Sequence, residues 1–554
     1  MTLSTTTDAN GAYAFDNLLP GNYTVTLSVP NGYNLSLPNN GNDDTDSDFI
    51  GTTMNVTLVS NQSVSNIDAG LYRNASIGDF VWEDSNANGI QDTGETGISN
   101  VTLTLTGNDG AGNAVTLSTT TDTNGAYAFD NLVPGSYTVT LSVPNGYNLS
   151  LPNNGNDATD SDFVTTSTNV AVVSNQSVSN IDAGLYRNAS IGDFVWEDSN
   201  ANGIQDTGET GISNVTLTLT GNDGTGNAVT LSTTTDANGA YAFDNLLPGN
   251  YTVTLSVPNG YNLSLPNNGN DDTDSDFIGT TVNVTLISNQ SVSNIDAGLY
   301  RNASIGDFVW EDSNANGIQD TGETGISNVT LFLSGTSPTS TNINLNTKTD
   351  VNGWYTFGNL IPSTYSIVLS IPDRYHLTKP FNSSSTKDSN FETSSINNII
   401  LTTGSNENSI DAGLFRYASI GDFVWEDSNA NGIQDTGETG ISNVTLTLTG
   451  NDGAGNAVTL STTTDTNGAY AFDNLAPGNY NVTLSVPNGY NLSLPNNGND
   501  ATDSDFVTTS TNVTVVSNQS VSNIDAVYIA MLPSVILSGK TAMQMVFKIL
   551  AKLV

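Results

Sequence analysis

Residues 77–105 read IGDFVWEDSNANGIQDTGETGISNVTLTL, and this stretch decides the fold. Its ends have strand character: Phe80, Val81 and Trp82 lie before the polar centre, and Val101, Leu103 and Leu105 alternate with Thr102, Thr104 and Thr106 after it. Period-2 alternation puts apolar side chains on one face and wets the other, as in antiparallel sandwich sheets. Between the ends lies a twelve-residue loop matching the calcium-binding pattern of EF-hands, without flanking helices. Asp84, Asn86 and Asn88 stand at positions 1, 3 and 5 and offer side-chain oxygens. Gly89 at position 6 permits the sharp bend, and Ile90 at position 7 offers its carbonyl. Asp92 at position 9 binds directly or through water, and Glu95 at position 12 closes the shell. A donor set of oxygens without His or Cys suits calcium, not zinc. An Asn/Asp/Gly-rich solvated turn is the plainer alternative, and it does not require seven positions to agree with a ligand pattern.

The stretch recurs, with its tryptophan at Trp82, Trp196, Trp310 and Trp425, spacings of 114, 114 and 115 residues. The expected ligand sets are therefore Asp198, Asn200, Asn202, Ile204, Asp206 and Glu209; Asp312, Asn314, Asn316, Ile318, Asp320 and Glu323; and Asp427, Asn429, Asn431, Ile433, Asp435 and Glu438. Repetition at a fixed period marks a tandem array. Module edges fall at 74–187, 188–301, a divergent 302–416, and 417–526, with a partial module at 1–73 that lacks its first strand and metal loop. Met1-Thr2-Leu3-Ser4 aligns with Val229-Thr230-Leu231-Ser232, which a GTG valine codon read as a start would produce. Residues 527–554 read as the next repeat out of frame, not as a domain. Pro533, Lys540, Lys548 and Lys552 interrupt that apolar tail and argue against a membrane anchor. The edges leave almost no linker, so neighbouring repeats are expected to stack with limited bending.

Composition agrees. The net charge of −44, from 55 acidic and 11 basic residues, repels nucleic acid and anionic lipid and favours cations. Hydrophobic residues make up 36%, enough for cores, and the richness in Thr, Ser, Asn and Gly with few helix formers predicts an all-β chain. Turn signals such as Asn108-Asp109-Gly110, Asn124-Gly125 and Asn145-Gly146 space seven to nine strands per module, which suits an Ig-like or prealbumin-like sandwich. Trp82, Tyr127 and Phe129 are expected in its core, whereas Tyr33 and Tyr147 stay unplaced. Cysteine is absent, and the only lysines before residue 527 are Lys348, Lys379 and Lys387. Disulfides are thus unavailable to stiffen the modules, and carboxylates meeting metal are the candidate stiffener.

A second acidic cluster, Asp157, Asp160 and Asp162 with Asp182 and Asp193 beyond, reads either as another cation site or as a solvated loop. Module 302–416 departs there, with Ser385-Thr386-Lys387-Asp388-Ser389-Asn390. Catalysis has no foothold: His376 is the sole histidine and no thiol nucleophile exists, so no enzyme is expected.

The run IGDFVWEDSNANGIQDTGETGISNVTLTL, then TDTNGAYAFDNLVPGSYTVTLSVPNGY, then DSDF, resembles the B-type repeat of serine-aspartate repeat surface proteins, the SdrD B-like domain, and more broadly Cna-B modules of Gram-positive adhesins and pilins. The resemblance spans residues 1–526. It implies a calcium-stabilised sandwich that spaces a ligand-binding region from a bacterial surface, in a secreted protein. Its implied partners are calcium, the neighbouring repeats, and a host or matrix ligand held by other domains, with no nucleic acid and no membrane span. The alternative function is a module that itself binds carbohydrate or a partner protein. Pilin-type relatives carry a Lys–Asn isopeptide bond, which most repeats here lack the lysine to form.

Overall fold

A computed structural model describes residues 1–380 and 387–532. Among them every regular element is a strand. The chain divides into two compact units, one of Met1–Trp196, Gln205–Pro258 and Pro266–Gly298, the other of Glu197–Ile204, Asn259–Leu265 and Leu299–Val554.

Segment 74–187, within the first unit, shows the scheme. Nine strands form two sheets. The four-stranded sheet has the spatial order Ser167–Val172, Gly135–Ser142, Thr102–Asp109, Ala114–Thr120, all antiparallel. Register pairs Leu103 with Leu141 and Leu105 with Val139, so the apolar sets face the core together while Thr104 and Thr140 face out. The second sheet centres on Ala75–Glu83 and is mixed. Ala126–Leu132 pairs with it antiparallel, but Ser177–Ser179 and Ala183–Tyr186 run parallel to it. The sequence reading expected antiparallel sheets. The difference arises because the chain crosses from Ser167–Val172 in the four-stranded sheet to Ser177–Ser179 in the second, and enters it in the direction of the first strand.

Between the sheets lie Ile77, Val81, Leu103, Leu105, Phe129, Val139, Phe163 and Leu185, and Trp82 is fully buried beside the loop that follows it. Tyr127 donates its hydroxyl to the Ile181 carbonyl at 2.7 Å, which satisfies its one polar atom inside the core. Tyr147 is half-buried and its hydroxyl reaches Glu83 at 3.0 Å.

The same core recurs in the second unit at 303–414 and 418–528. In the last copy, Ala526–Ala530 completes the sheet, with Val424, Trp425 and Glu426 opposite Ala526, Val527 and Tyr528. The sandwich therefore continues past the expected edge at 526, because strand pairing uses backbone groups and Val527 and Tyr528 suit a pleated, buried position. Residues 533–554, the rest of the expected out-of-frame tail, lie outside the described residues. In segment 1–73, Gly21–Thr26 pairs with Thr53–Leu58 and Asn34–Leu35 with Leu71–Tyr72.

Candidate metal centre

The loop 84–95 leaves the end of the strand Ala75–Glu83, and its first ligand is anchored before any ion is considered. The Asp84 amide donates to the Leu185 carbonyl at 2.8 Å, and its side chain is fully buried. Asp84 Oδ2 accepts the Gly89 amide at 2.7 Å, which draws the chain into its turn. Gly89 takes a φ of +78°, and a Cβ there would sit 1.8 Å from the Leu151 carbonyl oxygen. Glycine is required on both counts. Ala87 also adopts a left-handed φ of 59°, as do Ala201, Ala315 and Ala430.

Two consecutive side-chain turns orient the next oxygens. Asn86 Oδ1 accepts the Asn88 amide at 3.0 Å, and Asn88 Oδ1 accepts the Ile90 amide at 2.7 Å. An amide oxygen held in this way keeps a second lone pair free for a cation. The Nδ2 groups of Asn86 and Asn88 both reach Asp92 Oδ2, at 2.8 and 3.0 Å, so positions 3, 5 and 9 converge. Glu95 ties position 12 back to position 2: its Oε1 accepts the Ser85 amide at 2.7 Å and the Ser85 hydroxyl at 2.8 Å. Asp84 Oδ1 is buried and meets no hydrogen-bond partner. A buried carboxylate oxygen without a partner is costly unless a cation meets it, and hard oxygens alone suit calcium. The residues present therefore fit the ion.

Burial pushes the pKa of Asp84 and Glu95 up, and that of Asp312 up to about 6. Asp427 goes the other way: burial acts upward, but the Ser493 hydroxyl and the amides of Gly432, Ala430 and Asn431 outweigh it. Loops 312–323 and 427–438 repeat the turn, with Gly317 and Gly432 amides on Oδ2 of Asp312 and Asp427 at 2.8 and 2.7 Å, but Oδ1 there accepts a backbone amide, from Asn316 and from Ala430. In 198–209, the Gly203 amide meets Asp198 at 2.7 Å and the Ile204 amide meets Asn202 at 2.7 Å. The Asp206 amide meets Glu209 at 3.0 Å.

The second acidic cluster is drawn together more tightly. Oxygens of Asp157, Asp160 and Asp162 lie within 4.8 Å of one another, as do those of Asp43, Asp46 and Asp48, of Asp271, Asp274 and Asp276, and of Asp500, Asp503 and Asp505. The cluster touches the first loop through backbone, since the Ser161 amide donates to the Gly89 carbonyl at 2.9 Å and the Gln91 amide to the Thr159 carbonyl at 2.8 Å. Asp160 Oδ1 is buried without a partner. Asp182 donates its amide to Asp162 at 2.6 Å and is itself buried. Burial, with Asp157 and Asp160 nearby, raises Asp162 to about 6. Burial, followed by Asp79 and Asp162, raises Asp182 to about 8. Asp79 is thus part of this acidic group, where the sequence reading places Asp193; Asp193 lies instead beside Asp296 and Asp276, the equivalent residues of the next module.

Sequence reading also missed Glu83, the residue just before the loop. It accepts Arg187 Nη2 at 2.9 Å, and Tyr147 as well. The signal was available: Arg187 is the sole cation of its module.

The family model described as the SdrD B-like domain matches residues 1–71, 75–185, 189–299, 303–414 and 418–528. Serine-aspartate repeat-containing protein F of Staphylococcus epidermidis is 39% identical over 477 residues, covering 84% of this chain and 28% of its own length. Serine-aspartate repeat-containing protein D of Staphylococcus aureus is 37% identical over 514 residues, covering 90% of this chain and 36% of its own. The chain therefore spans little more than a third of these relatives at most. Among solved structures, the Bacillus anthracis TIE protein aligns with a TM-score of 0.25 at 13% identity, over 82% of this chain and 73% of that one. BcpA, the major pilin subunit of Bacillus cereus, aligns with a TM-score of 0.25 at 12% identity, over 62% and 99%.

Proposed function

The chain belongs to the SdrD B-like domain family, and from that premise we propose that it is a calcium-stiffened spacer of a bacterial surface adhesin. The carrying observation is the loop 84–95, where Asx turns at Asn86 and Asn88 aim two oxygens and Asp84 keeps a buried oxygen unpartnered. Asp84, Asn86, Asn88, the Ile90 carbonyl, Asp92 and Glu95 would hold the ion, as would their equivalents in the other three loops. Bound calcium supplies positive charge to a module whose interior holds unneutralised carboxylates. With Asn at two ligand positions, affinity belongs in the range of about 10⁻⁴–10⁻³ M typical of extracellular modules. The Asp157, Asp160 and Asp162 cluster is read as a further cation site. The whole protein would sit outside the cell, with any host or matrix ligand bound by other domains. Among the described residues no helix is long and apolar enough to cross a membrane.

Calorimetric titration of the metal-free chain with calcium, paired with small-angle scattering, tests the proposal. Heat of binding and an EDTA-dependent change in the scattering profile are expected; a profile indifferent to EDTA would sink the spacer reading.

One observation favours the second reading, a module that binds carbohydrate. Trp354 of 302–416 is 53% exposed, where the other copies carry Ala126, Ala240 and Ala469. A glycan array probed with the whole chain and with Trp354→Ala decides it.

A further inference from the structure

The metal loop is covered by the module that follows it. In the first unit, the Ser288 amide donates to the Ser85 carbonyl at 2.8 Å, across 203 positions of sequence. The Ser288 hydroxyl donates to Glu83 Oε1 at 2.8 Å and accepts the Arg187 amide at 2.9 Å. Arg187 returns to the same Glu83 carboxylate through Nε and Nη2, at 3.2 and 2.9 Å, and lies 4.9 Å from the centre of the Tyr147 ring. Burial would raise the Glu83 pKa, but the hydrogen bonds from Arg187, Ser288 and Tyr147 outweigh it and hold it low. The hairpin tip of the next module closes the other side. Gly224 sits so near that a Cβ on it would lie 1.7 Å from the Asn86 carbonyl oxygen. Positions 2, 3 and 4 of the loop are thus held from outside their own module.

The second unit repeats the arrangement twice. Glu197 accepts Arg301 at 2.6 Å and the Thr403 hydroxyl at 3.0 Å, and the Thr403 amide meets the Ser199 carbonyl at 2.9 Å. Glu311 accepts Arg416 at 2.8 Å and the Ser517 hydroxyl at 2.6 Å, and the Ser517 amide meets the Ser313 carbonyl at 2.8 Å. A Cβ on Gly453 would lie 1.7 Å from the Asn314 carbonyl oxygen.

Loop 427–438 has the same sequence, but among the described residues no module covers it, and Ser428, Asn429 and Ala430 are exposed. Ala87 and Ala315, at the position of Ala430, are buried. Its flanking Glu426 keeps Tyr490 at 3.0 Å, while Ala530 stands where the other copies have arginine.

We propose that the metal loops 84–95 and 312–323 are each the joint between two modules, so that the ion bound by one module fixes the orientation of the next. This rests on the calcium reading. An ion orders positions 1 to 12 of the loop, and the next module grips positions 2 to 4, so the two events share one ordering cost. Coupling of this kind is reciprocal: the covering module strengthens ion binding as much as the ion strengthens the contact. A loop covered in this way then binds calcium more tightly than the same loop left uncovered, despite identical ligands.

Because the chain has no cysteine, pairs of introduced cysteines carry spin labels without further changes. Ser118→Cys with Ser232→Cys reports across the joint, and Ser118→Cys with Val173→Cys reports within one module. In the full chain with calcium, both distance distributions should be narrow. Chelation should broaden the first at least twofold and leave the second unchanged. Gly224→Ala should broaden the first even with calcium present, and Arg187→Gln should do so less. A cross-joint distribution unmoved by chelation, in a chain whose calorimetry shows calcium bound, overturns the joint and leaves the calcium reading intact. Equal broadening of both pairs overturns it too, because the ion would then act inside the module. No heat of calcium binding at all overturns both.

Discussion

Segments 74–187 and 302–416 share a scaffold and differ in the charge of one acidic loop. Phe163 and Phe391 are both fully buried, Trp82 and Trp310 likewise, and the twelve-residue loops are identical in sequence. At the second cluster, Asp162 is replaced by Asn390 and Thr159 by Lys387. The Asp182 amide donates to Asp162 at 2.6 Å, and the Asp411 amide donates to Asn390 Oδ1 at 2.6 Å. The backbone tie survives the loss of charge. The fold therefore needs an acceptor at this position, not a carboxylate, and the backbone tie does not depend on the negative charge at Asp162. The comparison separates what holds the sandwich from what would hold an ion.

The largest effect should be common to both copies. Phe163→Ala and Phe391→Ala each remove a fully buried ring, a change worth about 3–5 kcal/mol. Hydrogen exchange of each mutated segment should show equal losses. A difference above about 2 kcal/mol would mean that the cores are not equivalent.

This equality could be read in the sequence, because alternation such as Tyr137, Val139, Leu141 against Thr138, Thr140, Ser142 assigns faces by period alone. The turn of the candidate loop was legible for the same reason, since its Asn and Gly residues are local. Two features were not. The parallel pairing of Ala183–Tyr186 with Ala75–Glu83 depends on the path of the connection between the sheets, which no local pattern encodes. The grip of Arg187 and Ser288 on Glu83 joins residues 104 and 205 positions apart, each unremarkable in its own segment.

Next in size is the response to pH without metal. Asp182 and Asp411 have folded pKa values raised to about 8, and Asp162 and Asp307 to about 6, burial being the first cause in each. A carboxyl whose folded pKa lies above its unfolded value binds more protons when folded, so its contribution favours the fold at low pH. That contribution is complete below the unfolded value near 4 and fades as pH rises through about 6 to about 8. In EDTA, the Tm of the chain should fall between pH 5 and pH 8. Added calcium should reverse the fall, and more fully in 74–187 than in 302–416. A Tm that rises with pH in EDTA would contradict the assignment of these buried carboxyls.

The acidic loop itself gives a smaller and more local readout. Asp160→Asn with Asp162→Asn in 74–187 should remove one calcium equivalent from the calorimetric titration while leaving the loop 84–95 occupied. Asn390→Asp with Lys387→Thr should strengthen binding in 302–416. If the double Asn variant keeps full stoichiometry, the cluster is a solvated loop and the contrast between the copies has no bearing on metal.

The smallest effect tests the other departure of 302–416, Trp354. Its ring lies 4.7 Å from that of Phe308, centre to centre, and Phe308 is 7% exposed, against 37% for Phe423 in the copy that has alanine there. Tryptophan at this position covers a neighbour that the other modules leave partly open. Trp354→Ala should therefore cost about 1 kcal/mol, the burial of part of one aromatic ring. The loss should appear in hydrogen exchange confined to the strands Ala303–Glu311 and Trp354–Leu360. If stability is unchanged while glycan binding disappears, the ring is a binding platform and 302–416 is a specialised module. If stability falls by that amount and no glycan is bound by either form, the substitution is a local repair of the surface, and all copies serve as spacers.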